Sequence, residues 1–222
     1  MDQHPPMRID VVSDAICPWC YIGKRQLERA VATMAPNGLR FAVRWNPFQL
    51  NPDMAKGGVE RAAYRAAKFG SAERARELDA RVSEAAAAVG LDFHLDRIGR
   101  TPNTLDAHRL FWLAGRHGAQ DAAVEALFAA YFTEGHDLGD AAVLADCGVA
   151  AGLDRDQVAG FLAGTEAAAE MLAADRAARE AGVNGVPSFF LNGYGLFSGA
   201  LPAGEMAEML RRGHHILANR AA

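Results

Sequence analysis

The first patterned stretch of the chain is a short apolar run over residues 8–12, with Ile9, Val11 and Val12, and it predicts a buried strand. From Pro18 to about Met34 the period changes. Cys20, Gly23, Leu27, Ala30, Val31 and Met34 share one helical face, while Lys24, Arg25, Glu28 and Arg29 fall on an opposite, solvated one. Pro18 suits the first helical position, where a missing N–H costs nothing. Leu39, Phe41, Val43 and Trp45 then alternate with Arg40, Ala42 and Arg44, which predicts a second strand. If the two strands lie parallel in one sheet, the crossover between them is right-handed.

From about Asn51 to Gly164 the texture is alanine-rich and helical. Helices are expected over 71–89, 104–117, 120–134 and 140–151, each running up to a glycine that stops it. Residues 91–95 fit an extended segment or a loop, and the pattern leaves both open. A further helix over 165–181 ends at Gly182, a carboxyl-terminal cap. Pro187 then precedes the apolar run 188–191, Asn192-Gly193 marks a turn, 196–198 pairs back as an antiparallel strand, and Pro202 opens a last helix. The reading is an α/β protein: residues 1–50 and 165–222 supply a small sheet with flanking helices, and an all-helical domain, 51–164, is inserted between them.

Composition narrows the function classes. With 222 residues, half of them hydrophobic, the chain can bury a proper core. A net charge of −4 without a basic run argues against a grip on nucleic acid or anionic lipid. No apolar stretch approaches the roughly 20 residues of a membrane helix. The amino-terminal residues 1–6 are polar and proline-broken, and Arg8, Asp10 and Asp14 interrupt the apolar residues beyond them, so a cytoplasmic location is expected.

Three cysteines are too few for an extracellular framework: Cys17 and Cys20 form a close pair and Cys147 stands alone. The thiolate is the form that attacks disulfides. Cys17 sits at the mouth of the first helix, where unpaired N–H groups and the helix dipole favour a sulfur anion. Cys20, one turn further in, falls on the core-facing side, so an exposed attacking sulfur is paired with a shielded resolving one. Pro18 stiffens the loop and Trp19 adds apolar surface beside the sulfur. The competing reading of a close cysteine pair is half a zinc site. The chain has no second such pair, and His94, His108, His117 and His136 are scattered, so no metal is expected. Cys147, inside an alanine-rich helix, reads as a packing residue.

Four blocks carry a resemblance: Ser13-Asp14-Ala15-Ile16-Cys17-Pro18-Trp19-Cys20-Tyr21-Ile22-Gly23-Lys24, Asn46-Pro47-Phe48-Gln49-Leu50-Asn51-Pro52, Asn103-Thr104-Leu105-Asp106-Ala107-His108-Arg109-Leu110, and Gly182-Val183-Asn184-Gly185-Val186-Pro187-Ser188-Phe189. In this order they resemble the FrnE-like branch of the DsbA oxidoreductase family. The resemblance implies a thioredoxin fold with a helical insertion, Cys17 as nucleophile, Cys20 as resolving thiol, and a cis Val186–Pro187 bond beside them. The edge of Val186 is then expected to meet an extended substrate segment, and Pro187 to keep metal off the thiols. On residues alone Pro187 also fits an ordinary trans strand-start proline.

Several positions stay open on sequence. Asp14 either shapes a turn or modulates the thiols as a nearby charge or proton relay. Asn103 and His108 either line the cleft, as the resemblance suggests, or act as a helix cap and a partly exposed helical histidine. Trp19 either contacts substrate or shields the site. Tyr21 and Lys24 read as scaffold and solvated face, and Phe48 as a packing anchor. Pro-Trp between the cysteines differs from the Pro-His of the strongly oxidising secreted relative, so its oxidising strength is not implied.

The leading expectation is disulfide exchange with a disulfide- or dithiol-containing protein, peptide or small thiol. No bound cofactor is expected, with glutathione as a conceivable redox co-substrate. The alternative from the helical-insert relatives is a glutathione-dependent isomerase or transferase acting on an aromatic or polyketide-like small molecule. A third is a peptide-binding chaperone that uses the apolar cleft near Trp19 and Pro187.

Overall fold

A computed structural model describes residues 6–221; of the polar amino-terminal residues 1–6, all but Pro6 lie outside the described residues. The first strand, β1 (Met7–Ser13), leads into α1 (Pro18–Met34) and returns as β2 (Phe41–Pro47), parallel to β1 with Ile9 opposite Val43 and Val11 opposite Trp45. Period-two alternation gives β1 two different faces. Ile9 and Val11, both fully buried, join the main core with Leu27, Ala30 and Met34 of α1. Val12, on the other face, forms a small separate cluster with Phe48 and Val183.

The next segment carries α2 (Arg61–Phe69), α3 (Ala72–Ala88), α4 (Leu105–Arg116), α5 (Gln120–Phe128), α6 (Ala141–Ala150) and α7 (Arg155–Ala163). Glu60, Ser71, Asp140 and Asp154 cap α2, α3, α6 and α7 by accepting from first-turn N–H groups. Two strands of two residues each, β3 (Val59–Glu60) and β4 (Arg100–Thr101), pair antiparallel here, a feature too short for any sequence period to reveal. The expected helix over 120–134 is α-helical only to Phe128; Ala129–Thr133 is one π turn. Residues 91–95 form no strand, yet Leu91, Phe93 and Leu95 all point into the core.

The chain re-enters the sheet through α8 (Ala168–Glu180), β5 (Ser188–Leu191), β6 (Tyr194–Ser198) and α9 (Ala203–Ala221). The four-stranded order is β2-β1-β5-β6, with β5 antiparallel to both neighbours. A long-range contact caps α9: Gln26 of α1 accepts from the Ala203 N–H at 3.0 Å. At the other edge, Gln120 of α5 exchanges two hydrogen bonds with the backbone of Trp45, at 2.9 and 3.1 Å, replacing a missing strand partner.

One face of α1 departs from its sequence pattern. The helical wheel puts Lys24 in solvent, yet only 3 % of its side chain is exposed, because α5 covers it with acidic partners. Lys24 reaches Glu28, Asp121 (3.0 Å) and Glu125 (3.1 Å), and Arg25 and the Tyr21 hydroxyl also meet Glu125. Burial alone would raise the Glu125 carboxyl. Hydrogen bonds from Arg25 and Tyr21, with the charges of Lys24 and Arg25, outweigh it and hold the group down at about 2. A depressed carboxylate stabilises the fold above its unfolded value, 4.5, and that contribution is lost as pH falls towards about 2. Glu125→Gln should therefore be less stable than wild type near pH 7, and the difference should shrink as pH falls from 5 to about 2, as read by urea unfolding followed by circular dichroism at each pH.

Candidate active site

Cys17 occupies the N-cap of α1 with extended backbone (φ −92°, ψ 112°), and Pro18 takes the first turn. The Cys17 N–H donates to Asp14 O and the Cys20 N–H to Cys17 O, both at 3.0 Å, which winds the loop into the helix. No side chain caps the opening turn and no acidic residue lies in it. The first N–H groups and the positive end of a 17-residue helix thus lie beside Cys17.

The Val186–Pro187 peptide bond is cis, and the Cys17 thiol donates to Val186 O at 3.5 Å. The loop is held from behind: Ser188 Oγ bonds Gly185 O at 2.8 Å and meets Ser198 Oγ at 2.7 Å. Gly199 N–H donates to Pro187 O at 2.8 Å. Gly23 allows α1 to lie against this loop, since a Cβ there would stand 3.1 Å from Pro187 Cγ.

Exposure corrects one expectation. Cys17 is not an exposed sulfur: the residue is only 4 % accessible and is reached through a cavity whose wall it forms. Cys20 is fully buried behind it. Burial pushes the Cys20 thiol well up, the neighbouring Cys17 adds to this, and the Ser13 side chain opposes it. Pro18 is half-buried and Trp19 is exposed at the cavity rim. The cavity holds about 510 Å³ and runs from Ile16–Trp19 and Val186 across to α2, α3 and the π turn.

The other candidates fall into place differently. Asp14 is fully buried; its Oδ2 accepts the Leu50 N–H at 2.7 Å and its Oδ1 the Ile16 N–H at 3.4 Å, so it ties the cysteine loop to the segment after β2. His108 is neither a cleft residue nor an exposed one. It is fully buried, with Nε2 3.5 Å from Asp14 Oδ1 and neither ring nitrogen in a hydrogen bond among the described residues. Asn103 faces inward instead of lining the cavity: Nδ2 donates to Met54 O (2.7 Å) and Oδ1 accepts from Leu105 N–H (2.9 Å). Its amide locks the loop at Met54 against the start of α4. Phe48 is a packing anchor with the Arg179 guanidinium 4.1 Å above its ring. Cys147 is buried and its thiol contacts Ala126 O at 3.7 Å.

Sequence reasoning missed the far wall: Arg61, Tyr64, Arg65 and Lys68 of α2 and Arg81 of α3 line the cavity. The signal was present in the spacing, because residues 61, 65 and 68 recur at helical intervals. Among the described residues no group of three or more His, Cys, Asp or Glu side chains is gathered for a metal, and no helix is long and apolar enough to cross a membrane.

Known proteins share this fold. A probable DsbA oxidoreductase from Streptomyces coelicolor is 35 % identical and superposes with a TM-score of 0.84 over 93 % of this chain and 89 % of its own. A 2-hydroxychromene-2-carboxylate isomerase, at 19 % identity and TM-score 0.68, covers 97 % of this chain and 98 % of its own. The cytosolic disulfide reductase DsbM from Pseudomonas aeruginosa, solved with GSH, stands at 18 % and 0.61, covering 96 % of this chain and 98 % of its own. The two remote likenesses show a common fold. Residues 8–211 match the DSBA-like thioredoxin domain, a span that takes in the cysteine loop, the cis-proline loop and every helix between them; the chain therefore belongs to that family of disulfide oxidoreductases.

Proposed function

We propose that this protein carries out dithiol–disulfide exchange with Cys17 as nucleophile and Cys20 as resolving thiol, within the FrnE-like branch of the family. The observation that carries the reading is the cysteine pair itself. One sulfur lies at an uncapped helix mouth, on a cavity wall and against Val186 O, and the second is sealed one turn behind it.

Cys17 thiolate attacks one sulfur of a substrate disulfide, forming the Cys17–substrate bond and expelling the other sulfur as a thiolate. Cys20 loses its proton and attacks the Cys17 sulfur, closing the Cys17–Cys20 bond and releasing the second thiol. Two electrons and two protons pass to the substrate, and the reverse sequence oxidises a dithiol. The raised Cys20 thiol suits this order, because it remains protonated while Cys17 reacts first.

The half-buried Val186 supplies the edge along which an extended substrate segment lies, and Pro18 and Trp19 form the rim it crosses. Asp14, with His108 beside it, acts on the thiols by fixing the loop, since one carboxylate oxygen holds the Ile16 N–H next to Cys17 and the other anchors it to the Leu50 N–H of the segment after β2. Residues 51–164 act as the inserted helical unit that carries the cavity's far wall. Three cysteines, too few for a structural disulfide framework, favour the cytoplasm, where glutathione is available as redox co-substrate. The isomerase alternative rests on shared fold, and it gives Cys20 no task.

The test is trapping. Cys20→Ser incubated with a disulfide peptide should accumulate a covalent adduct, visible as a mass increase on non-reducing analysis and mapped to Cys17. An adduct mapped to Cys147, or none, overturns the assignment, and isomerase activity that survives Cys20→Ser supports the alternative.

A further inference from the structure

We propose that the α2–α3 wall of the cavity is a carboxylate-binding subsite, and that it selects small disulfides and thiols that carry anionic groups on an apolar body. This inference deepens the exchange reading and rests on it. The cavity opposite Cys17 has the volume of a small-molecule site, about 510 Å³, and much of its lining is apolar: Phe69, Leu78, Val82, Leu95, Ile98 and Phe132. Its charged residues have one predominant sign. Arg61, Arg65, Lys68 and Arg81 line it, against Asp79 as the single carboxylate, in a chain whose net charge is −4.

Local pairing does not cancel that excess. Asp79 is shared by Arg61, at 3.0 Å, and by Arg65, so one negative charge faces two guanidinium groups. Lys68 donates to the Tyr64 hydroxyl at 2.7 Å and has no carboxylate partner among the described residues. Arg81 is exposed and has no hydrogen bond or ion pair among the described residues. The Arg65 Nε–H is buried without a hydrogen-bond partner among the described residues, an unused donor on a half-buried side chain. Burial disfavours the charged form of Arg65, Asp79 opposes that, and Arg61 adds to it, so an incoming anion would relieve a real cost.

A planar guanidinium pairs with a carboxylate through two N–H groups at once, which a neutral substrate does not use. Anchoring the anionic end on α2 and α3 leaves the apolar body across the cavity and the sulfur towards Cys17. Anions would also be drawn into the cavity by the field of the wall, with an association that weakens as salt rises.

The probe is S-benzylglutathione, an inert thioether with two carboxylates, titrated by calorimetry into the Cys17→Ser/Cys20→Ser protein and compared with its diester. The dicarboxylate should bind at least about tenfold more tightly than the diester. Arg65→Gln and Arg81→Gln should each weaken the dicarboxylate several-fold and leave the diester unchanged. Arg81→Gln removes no internal contact, so it reads the subsite even if Arg65→Gln fails to fold. Equal binding of acid and ester, no binding of either, or indifference to Arg81→Gln overturns the proposal. Because a thioether cannot exchange, this outcome is separate from trapping: binding retained without a trapped adduct at Cys17 would overturn the exchange reading alone.

Discussion

Reduction of insulin disulfides by Cys17→Ser is expected to fall by on the order of a thousandfold or more, while Cys147→Ala retains the wild-type rate. Exchange needs a thiolate in contact with substrate, and the three cysteines differ sharply in that respect. Cys17 lines the cavity and faces the uncapped amino end of α1. A serine hydroxyl there neither ionises near neutrality nor forms a disulfide. Cys147 is pushed up to about 12 by burial, with Glu134 adding to the shift, so about one part in 10⁵ is ionised at pH 7. The check is a turbidity assay with the three single variants, together with iodoacetamide labelling of the reduced protein at pH 7. Cys17 should label first by mass mapping, and labelling of Cys147 ahead of it would contradict the argument. Cys20→Ser should also turn over poorly, but by accumulating adduct instead of failing to attack, which separates the two cysteines by kind of defect.

The parts of this molecule governed by local rules were legible beforehand. Strand alternation located β2, short apolar runs located β1 and β5, and the cysteine–proline opening fixed the first residue of α1. Ser71 and Asp140 marked helix starts because a short oxygen-bearing side chain caps N–H groups within its own turn. What escaped was decided by residues distant in sequence. Lys24 looks solvated on a helical wheel, and only the docking of α5, almost a hundred residues later, buries it among Asp121 and Glu125. The cap on α9 comes from Gln26 and the cover on the β2 edge from Gln120; neither can be inferred from neighbouring residues.

The site divides in the same way. The placement of the cysteine loop beside the cis-proline was legible because Cys17, Pro18, Trp19 and Cys20 are contiguous and Pro187 lies in a recognisable block. Access to the loop was not. Helices α2 and α3 stand across from the cysteine loop, so Cys17 becomes part of a cavity wall instead of a surface thiol. Asn103 and His108 sit in a block that suggested the cleft, yet their polar atoms serve the interior, one fastening a loop and the other packed beside Asp14. The basic residues of α2 and α3 carried no chemical motif, and their meaning depends on the cavity they face.

Arg109→Met is expected to destabilise the protein by about 3–5 kcal/mol, the range for removing one partner of a buried charged network. Arg109 of α4 is 2 % exposed, and its guanidinium serves the end of α7. Nε donates to Glu166 O at 2.7 Å, Nη1 to Asp106 Oδ1 at 2.7 Å and Leu162 O at 3.3 Å, and Nη2 to Phe161 O at 2.8 Å and Gly164 O at 2.9 Å. The last carbonyls of a helix have no partner within it, and a cation there also meets the negative end of the dipole. One fork-shaped side chain thus satisfies the end of α7 and the turn leading to α8, with its face 4.8 Å over the Phe161 ring. Methionine fills similar space but leaves four backbone carbonyls and Asp106 without these donors. Arg109→Lys retains the charge, yet a single ammonium cannot reach all of them, so about half the loss should remain. Urea unfolding should show the midpoint falling with an unchanged slope, and melting should drop by roughly 6–20 °C for a chain of this size. Below that transition, the rate of disulfide exchange should match wild type, because Arg109 touches neither Cys17 nor the cavity wall. A loss under about 1 kcal/mol would mean that water replaces the guanidinium at the end of α7, and that the helix end is open rather than sealed.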